Sequence, residues 1–432
     1  MASGLRAGRG RRLLWDVGLL VLLAWIAWGP RLATATQYTA ELQSEERLYN
    51  RYAVPWAQGQ GSEPREKYFP WHPLGSVTHR PPGYILFVGT VYRLAGVENF
   101  AAVRLAQAAL DTSSVLLVYL AGLLLFGGVA GRVVGFGAAL ATARYDFLYL
   151  HVARILSETL YVWLCLLVLV VALGAARRRS LALTFLAAYL LGWANLVRPF
   201  LLLAIPAFIL WVLVMPGATR RWRFGLVATV GLLLAIAPVT WRNWQFHHAF
   251  IPISTNSGFT LYQSLADVEG LSAPEELVNK DVVEAMELGE LAESDEFRRR
   301  ALAYMQRHPG DLPKILARKV EVLLAAKGGY KVSHELMVTP VDEWLYPLVL
   351  LGALLSLAVR PRVAWHGRLL IWLLIASQVA VCLLANAEAR YRMPLVPLLA
   401  LLAMWAVWGS VAWAAGRLKP GPERASLPLA QG

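Results

Sequence analysis

Ten apolar runs, each close to the length of a membrane span and each closed by a short charged or Pro/Gly-rich stretch, govern what this chain can fold into. They lie at about 13–28, 102–127, 131–150, 157–175, 181–197, 200–215, 224–240, 344–359, 369–385 and 395–415. A bilayer core is crossed by about 20 mainly apolar residues in a helix, and only helices or closed barrels satisfy their backbone there. The runs therefore predict an all-α polytopic membrane protein of about ten spans. With 57% of 432 residues hydrophobic and only 16% charged, the chain has more apolar surface than one soluble core absorbs. Both cysteines, Cys165 and Cys382, fall inside apolar runs and read as packing residues, not as a disulfide or a metal pair.

A net charge of +13 suggests nucleic acid at first sight. The arginines instead crowd short connections between apolar runs, where the positive-inside rule accounts for them, and no nucleic-acid partner is expected. Arg6, Arg9, Arg11 and Arg12 precede the first run and place the N-terminus in the cytoplasm. Residues 33–35, ATA, resemble a signal-peptidase site, but an uncleaved first span is the preferred reading. One segment, HRPPGYILFVGTVYRLAGVENF at 79–100, decides the remaining topology. If it does not cross, Arg132, Arg177 to Arg179, the Arg220 to Arg223 cluster, Arg360, Arg362, Arg368 and the tail Arg417 and Lys419 all fall inside; if it crosses, all fall outside. Parity thus predicts a membrane-surface or re-entrant helix entered through Pro81 and Pro82.

The chain then divides into an N-terminal transmembrane module, 1–241, with an external loop at 31–101; an external segment, 242–341; and C-terminal helices with a cytoplasmic tail, 342–432. From Glu275 to Ala326 charged and apolar residues alternate at helical spacing, broken by HPGD at 308–311, which predicts amphipathic helices on the membrane or over the bundle.

On this topology the polar residues unusual for a membrane protein collect on the external side. Glu45 and Glu46 stand in the first loop, and His79 and Arg80 open the non-crossing segment. Asp146, His151, Arg154 and Glu158 surround the second external turn, Arg198 and Arg242 begin later ones, and Glu388, Arg390, Tyr391 and Arg392 occupy the last. Charges at the bilayer edge are costly unless paired or hydrated, so one shared polar cavity is economical. Plainer readings stand beside this one: solvated loop charges for Glu45 and Glu46, a helix-start carboxylate after Ser157 for Glu158, and headgroup anchors for the arginines. Transfer from a phosphate-linked donor would use such a set, because cations stabilise a leaving phosphate and a carboxylate takes the acceptor's proton. Arginine offers the forked donors that phosphate oxygens accept. There is no Walker motif and no zinc-ligand spacing.

The ordered pieces SEERLYNRYA, HRPPGYILF, FAAVRLAQAAL, ILSETLYVWL, NLVRP, WRNWQFHHAFIPISTNSG and AEARYRMPLVPLL together resemble the GT-C membrane glycosyltransferases. The nearest group is the family 39 class of protein O-mannosyltransferases and aminoarabinose lipid A transferases. The resemblance covers most of residues 13–415, and RPPGY, RN with STNSG downstream, and RYRMPL are its most specific parts. It implies inverting transfer of a sugar from a polyprenyl-phosphate carrier to a lipid, glycan or protein acceptor, on the outer face of a bacterial inner membrane. The family's first-loop acid, usually Asp before a Tyr, matches Glu45 first and Glu46 second as catalytic base. Arg80 matches the cation beside the donor phosphate; Glu158, Arg198 and Arg390 to Arg392 match further donor-site positions, with His79 and Arg242 beside them. No cofactor is fixed by the resemblance, and a divalent metal is compatible with it. An O-antigen-type polymerase or ligase is the first alternative function; a transporter, whose site would lie near mid-membrane, is the second.

Overall fold

A computed structural model describes residues 2–60, 78–266, 288–325, 340–359 and 364–416. Glu63 and Glu66 of the first loop, part of the amphipathic stretch from Glu275, Arg360, Arg362, Arg417 and Lys419 lie outside the described residues. Each of the ten apolar runs is helical: α1 (Ala2–Gln37), α4 (Phe100–Phe126), α5 (Gly128–Ala143), α7 (Glu158–Arg178), α8 (Leu181–Val197), α9 (Ala204–Leu213), α10 (Arg221–His247), α14 (Pro340–Leu355), α15 (Trp365–Leu384) and α16 (Leu395–Ala414). Between them stand α2 (Ser44–Ala57), α3 (Pro82–Ala95), α6 (Asp146–Leu150), α11 (Ser257–Ala266), α12 (Glu290–Arg307) and α13 (Leu312–Leu324). Six helices among the described residues are long and apolar enough to cross a membrane, and three shorter ones, α5, α8 and α9, are also apolar. The chain is a multi-pass helical membrane protein.

The shorter helices have local causes. The run at 131–150 breaks at Arg144 and Tyr145, leaving α5 and the single turn α6. Pro199 follows Arg198, and a residue before proline is pushed out of the helical region; Arg198 is extended at φ −147°, and a 3-10 turn, Pro199–Leu201, precedes α9. At the crossing of α4 and α5, Gly122 and Gly135 bring the two backbones into contact, an approach no side chain permits.

Contacts between helix ends sort the connections into two sets. Asp16 pairs with Arg132 at 2.7 Å, Arg177 reaches Gly127, Arg179 lies against Gly217, and Arg368 donates to the Val359 carbonyl at 3.2 Å. The opposite ends carry α2, α3, α6 and α11 to α13. Helix α3 is about 21 Å long at 1.5 Å per residue, less than a hydrocarbon core of about 30 Å. Both its ends are tied to α2: Arg93 donates to the Trp56 carbonyl at 2.8 Å, and Tyr84 packs edge-on against Tyr49 at 4.7 Å.

Candidate active site

Four local structures bring charged side chains together where α7 begins and α8 ends. Helix α2 starts with Glu46 closing its own N-terminus, the carboxylate accepting from the Gln43 backbone N–H at 3.1 Å, which leaves Glu45 in the first turn pointing elsewhere. Arg80 immediately precedes Pro81 and Pro82, whose fixed φ sets the entry to α3. Arg198 is held out of α8 by Pro199. Arg390 rides the 3-10 turn Ala389–Arg392 that leads through Pro394 into α16.

These positions form one ion-pair network. Glu45 uses one oxygen for Arg80 at 2.8 Å and the other for Arg390 at 2.5 Å. Arg390 also lies 3.2 Å from Glu158 and 2.6 Å from Glu388, and Arg198 meets Glu158 at 3.1 Å. The Arg198 guanidinium stacks 4.8 Å over the Tyr391 ring, whose hydroxyl donates to Glu388 at 2.7 Å. Glu158 is 2% exposed, whereas the Glu45 and Arg80 side chains keep 23% and 22%. Burial raises the Glu45 carboxyl, but the charges of Arg390, Arg80 and Arg198 outweigh it and hold the group well below the ordinary carboxylate range. Burial likewise raises the Tyr49 hydroxyl, which donates to Ser157 at 3.2 Å.

Helix α4 fixes the turn before Glu158. Arg104 donates to the Ala153 carbonyl at 2.9 Å, and Gln107 to the carbonyls of Val152 and Arg154 at 3.0 and 2.8 Å. His151 in this turn bonds through Nδ1 to the Phe147 carbonyl at 3.0 Å, and burial lowers its imidazole to about 4, so the ring is neutral.

Of the residues expected from sequence, Glu45, Arg80, Glu158, Arg198 and Arg390 share the network and Tyr391 flanks it. Glu46 is turned the other way: fully buried, it pairs with Arg154 at 3.0 Å and accepts from the Ile155 backbone N–H at 2.8 Å. Arg392, 1% exposed, donates to the Ala325 carbonyl and lies 5.0 Å from the Tyr346 ring. His79 packs against Phe259 at 6.1 Å, and Arg242 donates to Asn243 at 3.1 Å. Glu388, grouped in the sequence with the last external turn but given no role in the site, joins the network through Arg390. Among the described residues no three His, Cys, Asp or Glu side chains gather as metal ligands, and the carboxylates of the cluster are held by guanidinium groups.

Beside the cluster runs an apolar groove of about 410 Å³ between α3, α7 and α8, lined by Phe87, Leu160, Leu164, Tyr189, Trp193 and Val197 among others. Three of its lining residues, Gly83, Leu160 and Val197, lie within three positions in the chain of Arg80, Glu158 and Arg198.

No protein-family profile and no curated protein matches the chain. Solved structures do. The Archaeoglobus fulgidus oligosaccharyltransferase tethered to an acceptor peptide aligns over 93% of this chain at 16% identity, with a TM-score of 0.56. The same archaeal enzyme, AglB, in complex with an inhibitory peptide and a dolichol-phosphate covers 96% at 14% identity, TM-score 0.55. This chain spans about half of that protein, 50% and 53% in the two alignments. ArnT from Cupriavidus metallidurans bound to undecaprenyl phosphate aligns over 94% of this chain and 81% of its own, at 16% identity and a TM-score of 0.39. Together with the multi-pass helical architecture, the likeness to the oligosaccharyltransferase shows that the chain has the GT-C fold.

Proposed function

We propose that the protein is a membrane glycosyltransferase that moves a sugar from a polyprenyl-phosphate carrier to an acceptor, with inversion at the sugar carbon, on the outer face of a bacterial inner membrane. The observation that carries this reading is the network that joins Arg80 and Arg390 to the partly exposed Glu45 and Arg198 to Glu158, close in the chain to residues lining an apolar groove. A donor with a hydrocarbon chain in the groove would bring its phosphate to the three guanidinium groups, whose forks suit phosphate oxygens. The binding of dolichol-phosphate by the oligosaccharyltransferase of similar fold agrees with such a donor.

The chemistry follows from the charges. The acceptor oxygen attacks the sugar carbon, the carbon–oxygen bond to phosphate breaks, and the electron pair leaves on the lipid phosphate, where guanidinium charge stabilises it. Glu45 receives the acceptor's proton. Without donor, Arg80 and Arg390 make Glu45 a weak base. A phosphate competing for the same two guanidinium groups restores its basicity when the donor arrives. Glu158 and Glu388 keep Arg198 and Arg390 aimed. The cluster sits at helix ends, whereas a transporter site is expected near mid-membrane on broken helices.

The test is to incubate the purified protein with a panel of polyprenyl-phosphate sugars and candidate acceptors and to follow release of polyprenyl phosphate. Release with any sugar, dependent on acceptor, supports the reading. Release with none across the panel, from protein that is folded, speaks against it.

A further inference from the structure

The block WRNWQFHHAFIPISTNSG, residues 241–258, contributes nothing to the ion-pair network, yet it converges on the segment that ends at Arg80. Asn243 donates to the carbonyls of Ile251 and Ile253, both at 3.0 Å, folding the chain back on α10 and presenting Thr255. The Thr255 backbone N–H donates to the Thr78 carbonyl at 3.1 Å, and its hydroxyl donates to Glu290 Oε1 at 2.6 Å. The same carboxylate oxygen accepts the Thr78 backbone N–H at 2.9 Å and the Thr78 hydroxyl at 2.8 Å. His247 Nε2 lies 2.8 Å from that hydroxyl. The hydroxyl has one proton and gives it to Glu290, so His247 must be the donor, with its hydrogen on Nε2. One turn further along α12, Ser294 donates to the Thr255 carbonyl. A Cβ on Gly258 would collide with the Ser294 carbonyl oxygen, so the block closes on α12 only with glycine there.

Thr78 is fully buried and Thr255 is 5% exposed. Three donors on one part-buried carboxylate oxygen form a strong anchor, because removing the acceptor leaves them unsatisfied. Arg80 is then flanked by this anchor two residues upstream and by Pro81 and Pro82 downstream. We propose that Glu290 is a positioning residue: through Thr78 it fixes the segment that aims Arg80 at the donor phosphate, so the external helices help to build the donor site. The inference rests on the reading of Arg80 as a phosphate ligand.

The test uses the intact protein in detergent, with polyprenyl phosphate as the probe. Affinity is measured for the parent, Arg80→Ala, Glu290→Ala and the double variant, and hydrogen exchange is followed in peptides covering Thr78. Glu290→Ala should deprotect Thr78 and weaken polyprenyl-phosphate binding about tenfold. In the Arg80→Ala background the same change should add less than about twofold, since it acts through Arg80. Glu290→Gln, which keeps an acceptor oxygen, should recover part of the loss and serves if the Ala variant does not fold. Unchanged protection at Thr78, or a double variant whose loss is the product of the single losses, would overturn the positioning role while leaving the donor reading intact. Loss of protection with no effect of Arg80→Ala on binding would instead remove Arg80 from the donor site, and the inference with it.

Discussion

Glu158 opens a membrane-length helix with a buried carboxylate, tolerable because Arg198 and Arg390 stand 3.1 and 3.2 Å away. Removing one partner from a buried pair costs about 3 to 5 kcal/mol because the other charge is stranded. Arg198→Ala should therefore lower Tm in detergent as well as donor affinity, whereas Arg198→Lys should keep more stability than affinity, having charge but no fork. A Tm equal to the parent's in Arg198→Ala would place Arg198 in the headgroup region. His151 gives a pH dependence. Its imidazole titrates at about 4, against an ordinary value of about 6.5. In that window the unfolded chain takes up a proton that the native state refuses, so stability falls as pH drops from about 6.5 to 4, by about 3 kcal/mol from this group. His151→Gln should flatten the fall in Tm over that interval, and an unaltered slope would show that the ring protonates freely. Arg198 is legible in the sequence because it sits between an apolar run and Pro199, and Arg390 because it falls in the short charged stretch before Pro394 and the last run. The choice between Glu45 and Glu46 is not, since adjacent helical residues diverge by about 100° and only the N-terminal cap fixes which one turns toward the arginines.

At the scale of elements, hydropathy locates all ten apolar helices, and HPGD at 308–311 correctly separates α12 from α13. What periodicity does not carry is how helices approach one another. The contact of Gly122 with Gly135 depends on a crossing point that no single run encodes. Gly122→Ala should therefore force α4 and α5 apart and cost about 1 to 3 kcal/mol in thermal unfolding. Gly18, on α1 with open space around it, is the matched control, and Gly18→Ala should be neutral or slightly stabilising. Equal Tm values for the two variants would mean that the α4 and α5 crossing is looser than described. The STNSG block stands out in the sequence, but its contacts do not, because Thr255 meets Glu290 and Thr78 only after three segments distant in the chain have folded together.

For the whole molecule, Arg132, Arg177, Arg179 and Arg368 lie with the connections opposite the Glu45–Arg390 cluster, the arrangement the positive-inside rule would give a site facing outward. A cysteine at the exposed Val97, in a background lacking Cys165 and Cys382, should react with an impermeant thiol reagent from outside intact cells. Labelling only after the cytoplasmic side is opened would invert the topology and move the site to the other face. The central claim is that three guanidinium groups hold a lipid phosphate while Glu45 takes the acceptor's proton, and a single-turnover experiment on Glu45→Gln tests it most directly. The substitution keeps the size of the side chain and removes its charge, and a positioned carboxylate base contributes about a hundred- to ten-thousand-fold in rate. With labelled polyprenyl-phosphate sugar and acceptor, the expected result is donor bound by both proteins and sugar transferred by the parent alone; transfer by Glu45→Gln at the parent rate would contradict the mechanism.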